Sequence, residues 1–481
     1  MDIVTLLEQL MAGIFDAEKK YLNNPKDFYT LETSVKSTTD AFAASFLGII
    51  LTSMNKAICD SGWREVHYTC QRTRERMLIS SVGDIHFECT NFRRVDDGSY
   101  HYLLEEIMGL SKKERFTEGA EVAILTEALK TSYQEATTVI PSKQKITKTT
   151  VMNKVHRIAE EMPIEYPYEK KSCEYLFIEA DEDHVAEQHG RYPRLEPNGS
   201  FISRLVYIYE YKMELPNCKG RKQLVNKFYF GGLYQGSDGV EKLWKKVADF
   251  IDNSYCSDDI SHNYISGDGG GWIKTGAKII NKALYCADKY HLVKYINAAS
   301  RQLLDSADEV KAELYHFMYK KNIRGFKKLI SQMKESTNDH KAVTDLESYV
   351  LGNWSAVMRT LHEEVVKGCS AEGHVSHVLS DRLSSRPKGW SQTGADRMSK
   401  LRCYERNYGR PKIIDLVRYS RQERILGRTG TDDIEVLELS SHDMMVDHYS
   451  QARSYIDRIQ ATIPGYTARK SASIREQLKL I

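Results

Sequence analysis

The spacing of apolar positions along this chain changes several times, and each change marks an element. Leu6, Leu7, Leu10, Met11 and Ile14 recur at helical spacing, and the first 60 residues read as helix. From Glu65 to Tyr102 the period shortens to two, in "MLISSV" and "DIHFECTNFRRV", with "DDGSY" as a turn between strands. "TEGAEVAILTEALKTSYQEATTVI" returns to helix, followed by Pro141, a basic loop and "ITKTTVMNKVHRIAEE", whose helix opens on Thr147 or Thr149 as cap. Helix, break and basic helix have the shape of a helix-turn-helix, a shape shared by any helical hairpin with a basic second arm.

"PIEYPYEKK" reads as a linker, and the pattern changes after it. Three strands are predicted: "CEYLFIEAD" ending on Asp181, "SFISRLVYIYEYK" and "NKFYFGGLYQ". An amphipathic helix, "GVEKLWKKVADFIDNSY", puts Val240, Leu243, Val247 and Ile251 on one side. "NYISGD" is a fourth strand ending on Asp268, and "KALYCAD" a fifth ending on Asp288. Helices then dominate to about residue 365. The expected class is α/β: a strand-and-helix domain followed by a long helical stretch, preceded by an α+β N-terminal region.

Length and composition narrow this further. The 481 residues exceed one ordinary domain, and 41% hydrophobic with 28% charged residues describes a globular protein. No run approaches the roughly 18 uninterrupted apolar residues of a membrane span, and the N-terminus has no basic region before its apolar part. A cytoplasmic protein without a membrane partner is expected. The nine cysteines are scattered and never form C-x-x-C, which argues against a disulfide framework or zinc ribbon.

Net charge is only +2, yet it is unevenly spread. From Asp381 to Arg428 there are 13 Lys or Arg against five acids, and Lys143, Lys145, Lys148, Lys154 and Arg157 lie in a stretch with no acid at all. Two basic patches in a balanced chain suit a protein that neutralises phosphates in two places, although each is also compatible with a solvated helix face.

Asp181 and Asp268 close predicted strands, where side chains can converge into a crevice. Glu372, in "KGCSAEGHVSHVLSDRL", falls near the start of a helix whose Val375, Leu379 and Leu383 would pack on a sheet. Three hard oxygen donors that leave positions open for water and phosphate suit Mg²⁺ or Mn²⁺, and two such ions would serve phosphodiester chemistry. Gly267, Gly269, Gly270 and Gly271 would let a nucleic-acid backbone approach Asp268, or would simply build a turn. They match neither nucleotide-loop pattern. Trp272 is a candidate for base stacking or for core packing. In "RLSSRPKGWS", Arg382, Arg386 and Lys388 are candidates for phosphate contacts.

"LFIEADEDHV", "ISGDGGGWIK", "ALYCADKYHLVKYI" and "GCSAEGHVSHVLSDRLSSRPKGWSQTGADRMSKLR", in this order and spacing, resemble the ISLre-type insertion-sequence transposases, which are themselves similar to the Mutator-like DDE transposases. "NFRRVDDGSYHYLLEEIMGL" and "ITKTTVMNKV" extend the resemblance over nearly the whole chain. The resemblance implies an RNase-H-like catalytic domain in which Asp181, Asp268 and Glu372 bind two Mg²⁺ ions. It also implies an all-α insertion before Glu372. Asp288 and His291 match an Asp-x-x-His signature; His374, close to Glu372 in sequence, is a candidate to touch phosphate or position water, or for a structural role. Many relatives have glycine after the first aspartate, where this chain has Glu182 and Asp183, so Asp183 is the alternative first ligand.

The expected organisation is an N-terminal helical and strand region (1–110), a helix-turn-helix-like DNA-binding segment (111–162), a split catalytic domain (170–297 and 367–430), the insertion (298–366) and a tail (431–481). The expected function is transposition: binding double-stranded DNA at element ends, cutting and joining it as a homodimer or larger assembly, and associating with the nucleoid when DNA-bound. A nuclease without strand transfer and an inactive DNA-binding remnant are the alternatives.

Overall fold

A computed structural model describes residues 3–111, 113–188, 199–216, 222–337, 340–386 and 389–426. The expected tail at 431–481 lies outside them. The chain divides into two compact units, one formed by residues up to Lys154 together with those from Val417, the other by Val155 to Leu416.

The first unit opens with α1 (Ile3–Asn23) and α2 (Phe28–Asp60), which pack on each other. By length and composition alone α2 could cross a membrane, which the expectation of no such stretch had not allowed for. Here it lies against a sheet strand, where the Asn55 side chain accepts from the Thr90 N–H (2.9 Å) and donates to the Thr90 hydroxyl (3.0 Å). After α3 (Gly62–His67), the strands β1 (Tyr68–Ser80), β2 (Gly83–Arg94) and β3 (Tyr100–His101) form an antiparallel sheet. Leu78, Ile85, Phe87 and Phe92 from this sheet bury against Ile58 of α2 and against Leu103 and Leu104 of α4 (Leu103–Ile107).

The segment expected to form a helix-turn-helix departs from that form. α5 (Glu118–Ala128), capped by Thr117, stops well short of Ile140. Ser132 and Glu135 end it by bonding reciprocally to each other's backbone N–H (2.9 and 3.1 Å), a capping box that starts a fresh turn at 135–138. α6 (Lys148–His156) opens on Thr147, whose hydroxyl accepts from the Thr150 N–H, so of the two candidate caps Thr147 is the one used. Residues 129–147 separate the two helices, too many for the tight turn of that motif. The unit boundary falls inside α6, earlier than the linker "PIEYPYEKK". That segment is tied into the second unit: the Lys171 N–H donates to Ser254 O, and the Cys256 N–H to Lys171 O (both 2.9 Å).

The second unit is built on a five-stranded sheet of β4 (Tyr175–Ala186), β5 (Ser200–Tyr209), β8 (Phe228–Gly232), β9 (His262–Gly267) and β10 (Ala283–Ala287); β6 (Tyr211–Glu214) and β7 (Lys222–Val225) form a separate hairpin. Strand order is β10-β9-β4-β5-β8, with β5 antiparallel to both its neighbours and β4, β9 and β10 mutually parallel. One face receives α7 (Gly236–Ser254) and α8 (Gly271–Ile279): Leu243, Trp244, Val247, Ile251 and Ile273 meet Leu176, Ile178, Ala180, Val206, Ile208 and Ile265. Five helices, α9 (Lys289–Ser300), α10 (Ala307–Tyr319), α11 (Ile323–Ser336), α12 (His340–Gly352) and α13 (Trp354–His362), form the expected all-helical stretch between β10 and Glu372. The chain returns to the sheet through α14 (Ala371–Val375), a π-helical turn at 376–380, α15 (Asp381–Leu383) and α16 (Gln392–Tyr408), and ends its described course in α17 (Ile413–Leu426).

Candidate active site

Side chains alternate along β4, so that Leu176, Ile178 and Ala180 enter the core while Glu179, Asp181 and Asp183 take the other face. The strand does not end at Asp181, as the sequence suggested, but runs to Ala186 paired with β5. What ends is its ladder to β9, whose last pair is Glu179 with Ser266. Asp181 and Asp268 each follow that pair by two residues, Asp181 still within β4 and Asp268 in the bend just past β9.

Their proximity has an electrostatic signature. Burial pushes the Asp181 carboxyl up to about 6, and the Asp268 carboxylate adds to the rise, while the Glu182 N–H (2.8 Å) and His291 oppose it. At the end of β10, Asp288 caps α9: one oxygen accepts from the Tyr290 N–H (3.0 Å) and the other from His291 Nδ1 (2.7 Å). That bond raises the His291 pKa most, with further help from Asp288, Asp268 and Asp181 and opposition from burial. His291 is thus held by Asp288 within electrostatic reach of both Asp181 and Asp268.

The glycines around Asp268 have local reasons. A Cβ on Gly267 would lie 2.6 Å from Ile273 Cδ1 and 2.8 Å from Ala180 O, so the end of β9 fits against β4 only without a side chain. Gly269 has φ +104°. The Gly270 N–H donates to Asp268 Oδ1 (2.9 Å), which fixes that carboxylate in an Asx turn. Gly271 faces open space.

Asp183 is buried, accepts from the Ser384 hydroxyl (2.7 Å) and is raised by burial. Its contacts attach α15 to β4, which separates its surroundings from those of Asp181. Glu372 is exposed in the first turn of α14, a helix that buries Ala371 and Val375 and packs on β4. Among the described residues no group of three or more His, Cys, Asp or Glu side chains is gathered closely enough to hold a metal ion. The fold brings the two aspartates together and sets Glu372 on a helix over the strand that bears one of them.

His374 stacks on Tyr207 (ring centroids 4.4 Å apart), and its Nδ1 is 2.8 Å from the Tyr229 hydroxyl. Burial depresses it to about 4, so it is neutral at pH 7 and brings no positive charge to a phosphate. Sequence reading passed over Glu179, which is almost fully buried yet accepts from the hydroxyls of Tyr207 and Tyr209 (2.6 Å for Tyr209), Lys212 Nζ (3.0 Å), and the N–H and hydroxyl of Ser370 (2.6 and 2.9 Å). Burial raises its pKa, but Lys212 and the two tyrosines outweigh that and hold it below the usual carboxylate range. The signal was an acid inside the apolar run "LFIEAD", opposite the alternating tyrosines of "YIYEY".

The sequence profile of an uncharacterised protein family, UPF0236, matches residues 21–418. The chain belongs to the UPF0236 family. Three UPF0236 proteins of Caldanaerobacter subterraneus subsp. tengcongensis are each 32% identical to it over 391, 388 and 388 residues. The matches cover 81% of this chain and 80%, 80% and 76% of those proteins, whose names join eleven, four and two loci respectively. A solved Drosophila P element transposase strand transfer complex aligns with 73% of this chain and 93% of its own at 11% identity and a TM-score of 0.20, too distant a likeness to carry an argument.

The basic residues of this UPF0236 chain have several fates. Lys143, Lys145 and Lys148 are exposed, as are Arg157 and Arg386; Lys388 lies outside the described residues. Lys154 is buried, bonded to Glu114 (2.8 Å) with Glu121 at 3.5 Å, because an amine facing two buried carboxylates is held there. It is withdrawn from any phosphate. Arg382 is also buried, its guanidinium 4.7 Å over the Trp390 ring. Trp272 is half-buried against Trp244, with the Arg204 guanidinium 5.3 Å from its ring. Of its two readings, packing is the one its contacts support.

Proposed function

We propose that this chain is a DNA transposase that cuts and rejoins phosphodiester bonds at a site made by Asp181, Asp268 and Glu372. The observation that carries the reading is the convergence of Asp181 and Asp268 beyond the last β4–β9 pair, close enough for one carboxylate to raise the other. A mixed sheet with one antiparallel arm and one parallel arm about β4 supports an RNase-H-like reading of the second unit. Relatives named for several loci of one organism are consistent with an element that multiplies.

Asp181 and Asp268 are two adjacent hard oxygen donors of the kind Mg²⁺ or Mn²⁺ takes, and Glu372, exposed at the start of α14, would be the third. Such ions supply Lewis-acid activation of water or a 3′-OH and stabilisation of the leaving oxygen. The protein's own residues orient that chemistry. Asp268 is fixed by the Gly270 N–H, and His291 is oriented by Asp288 Oδ2. Lys143, Lys145, Lys148, Arg157 and Arg386 are proposed to meet DNA phosphates. Joining two ends calls for at least two copies of the chain.

The test is cleavage of a labelled duplex carrying the DNA that flanks this reading frame, with Mg²⁺ or with EDTA. Metal-dependent nicks at the repeat boundary, absent in Asp268→Ala, are expected. Cutting without preference for the ends would point to a nuclease, and binding without any cutting would overturn the catalytic reading.

A further inference from the structure

Glu179 is an expensive residue to place in the middle of a sheet. A buried ion pair adds little stability over well-packed apolar side chains, so the network around Glu179 calls for a reason other than stability. Its contacts supply one. Ser370 precedes Glu372 by two residues, and both its N–H and its hydroxyl donate to Glu179 Oε2. Lys212, bonded to the other Glu179 oxygen, also donates to Gly368 O (2.7 Å), two residues earlier in the same connection. Beyond Glu372, His374 stacks on Tyr207, whose hydroxyl donates to Glu179. The turn that carries Glu372 is thus fastened on both sides to one buried carboxylate, while the Glu372 side chain stays exposed.

A second clamp follows. The π-helical turn after α14 leaves carbonyls off the regular ladder, and the buried Arg402 of α16 donates to two of them, through Nη2 to His377 O (2.7 Å) and through Nε to Val378 O. Both ends of this short helix are therefore held by long-range charged groups rather than by its own length.

We infer that Glu179 is a positioning residue for Glu372, setting the start of α14 over the strand that bears Asp181 so that the third carboxylate can reach a shared cation. This rests on the reading of Glu372 as a metal ligand. Such outer partners typically contribute about 10- to 100-fold to metal affinity.

The experiment is Mn²⁺ titration of the full-length protein followed by electron paramagnetic resonance, comparing wild type with Glu179→Gln, Ser370→Ala and Glu372→Ala. Glu179→Gln should bind Mn²⁺ about 10-fold more weakly, and higher Mn²⁺ should restore full occupancy. Ser370→Ala, which keeps its N–H and loses only the hydroxyl, should show a smaller weakening in the same direction. A folded Glu179→Gln protein with wild-type Mn²⁺ affinity would overturn the inference while leaving the proposed function standing. Should Glu179→Gln fail to fold, wild-type affinity in Ser370→Ala would overturn it instead. Wild-type Mn²⁺ binding by Glu372→Ala would sink the ligand reading, and the inference with it.

Discussion

The acids and the bases of this chain meet opposite fates. Of the three acids expected to converge, Asp181 and Asp268 come near each other just past the last β4–β9 pair, whereas Glu372 stands exposed on α14 and completes no group of three among the described residues. The basic segment from Asp381 to Arg428 looks like one positive surface in sequence, yet Arg382, Arg402 and Arg421 in it are buried. Arg421 is bonded to Glu121 (2.7 Å), and Glu121 also faces Lys154 from the first basic patch. A helix turns a new face every residue, and the count of charges does not say which faces meet acids. Strand acids can be placed from local pattern, whereas helix bases depend on partners in other elements, 24 residues away for Arg402 on Val378 and 300 for Arg421 on Glu121.

The sharpest way to break this contrast is Lys154→Met. If Lys154 is interior, its loss leaves Glu114 buried without its cation and should cost about 3–5 kcal/mol, read as a fall in melting temperature. An unchanged melt with weakened DNA binding would return Lys154 to the surface. On the acid side, Gly267→Ala forces a methyl against Ile273 and the Ala180 carbonyl, and about 1–3 kcal/mol of destabilisation is expected in a denaturant titration.

Asp181→Asn should act the other way. Its carboxyl is raised from 3.8 to about 6, so the folded state binds a proton more tightly than the unfolded state, and stability declines as pH rises through that window. In EDTA at pH 7–8 the asparagine variant should be more stable, by about 1 kcal/mol after allowance for the solvent that reaches this side chain. The gap should close below pH 4, and thermal melts across pH decide it. The smallest stability effect belongs to Lys145→Ala on the exposed loop, within about 0.5 kcal/mol, while the slope of DNA affinity against salt should fall by about one.

The same contrast explains how much was legible. The five strands, a threonine cap at Thr147 or Thr149, the helical stretch before Glu372 and the nearness of Asp181 and Asp268 follow from period and punctuation. Glu179 was hidden because it lay inside the strand read as ending on Asp181, and the groups that satisfy it, Tyr207, Tyr209, Lys212 and Ser370, come from other segments. The break at Ser132–Glu135 was written as a capping box, but the apolar residues on either side of it read as one helix.

The bond between Glu179 and Ser370 also fixes an order of events. Tyr207, Tyr209 and Lys212 lie within 33 residues of Glu179, but Ser370 is 191 residues away, past the whole helical insertion. Contacts of such long range close late, since the loop must be formed before it is rewarded. During synthesis the ribosome therefore holds a chain that already contains both aspartates while the segment bearing Glu372 has yet to emerge. A chain truncated before residue 370 would keep Glu179 with its tyrosine and lysine partners and lack the Ser370 contact that fastens α14.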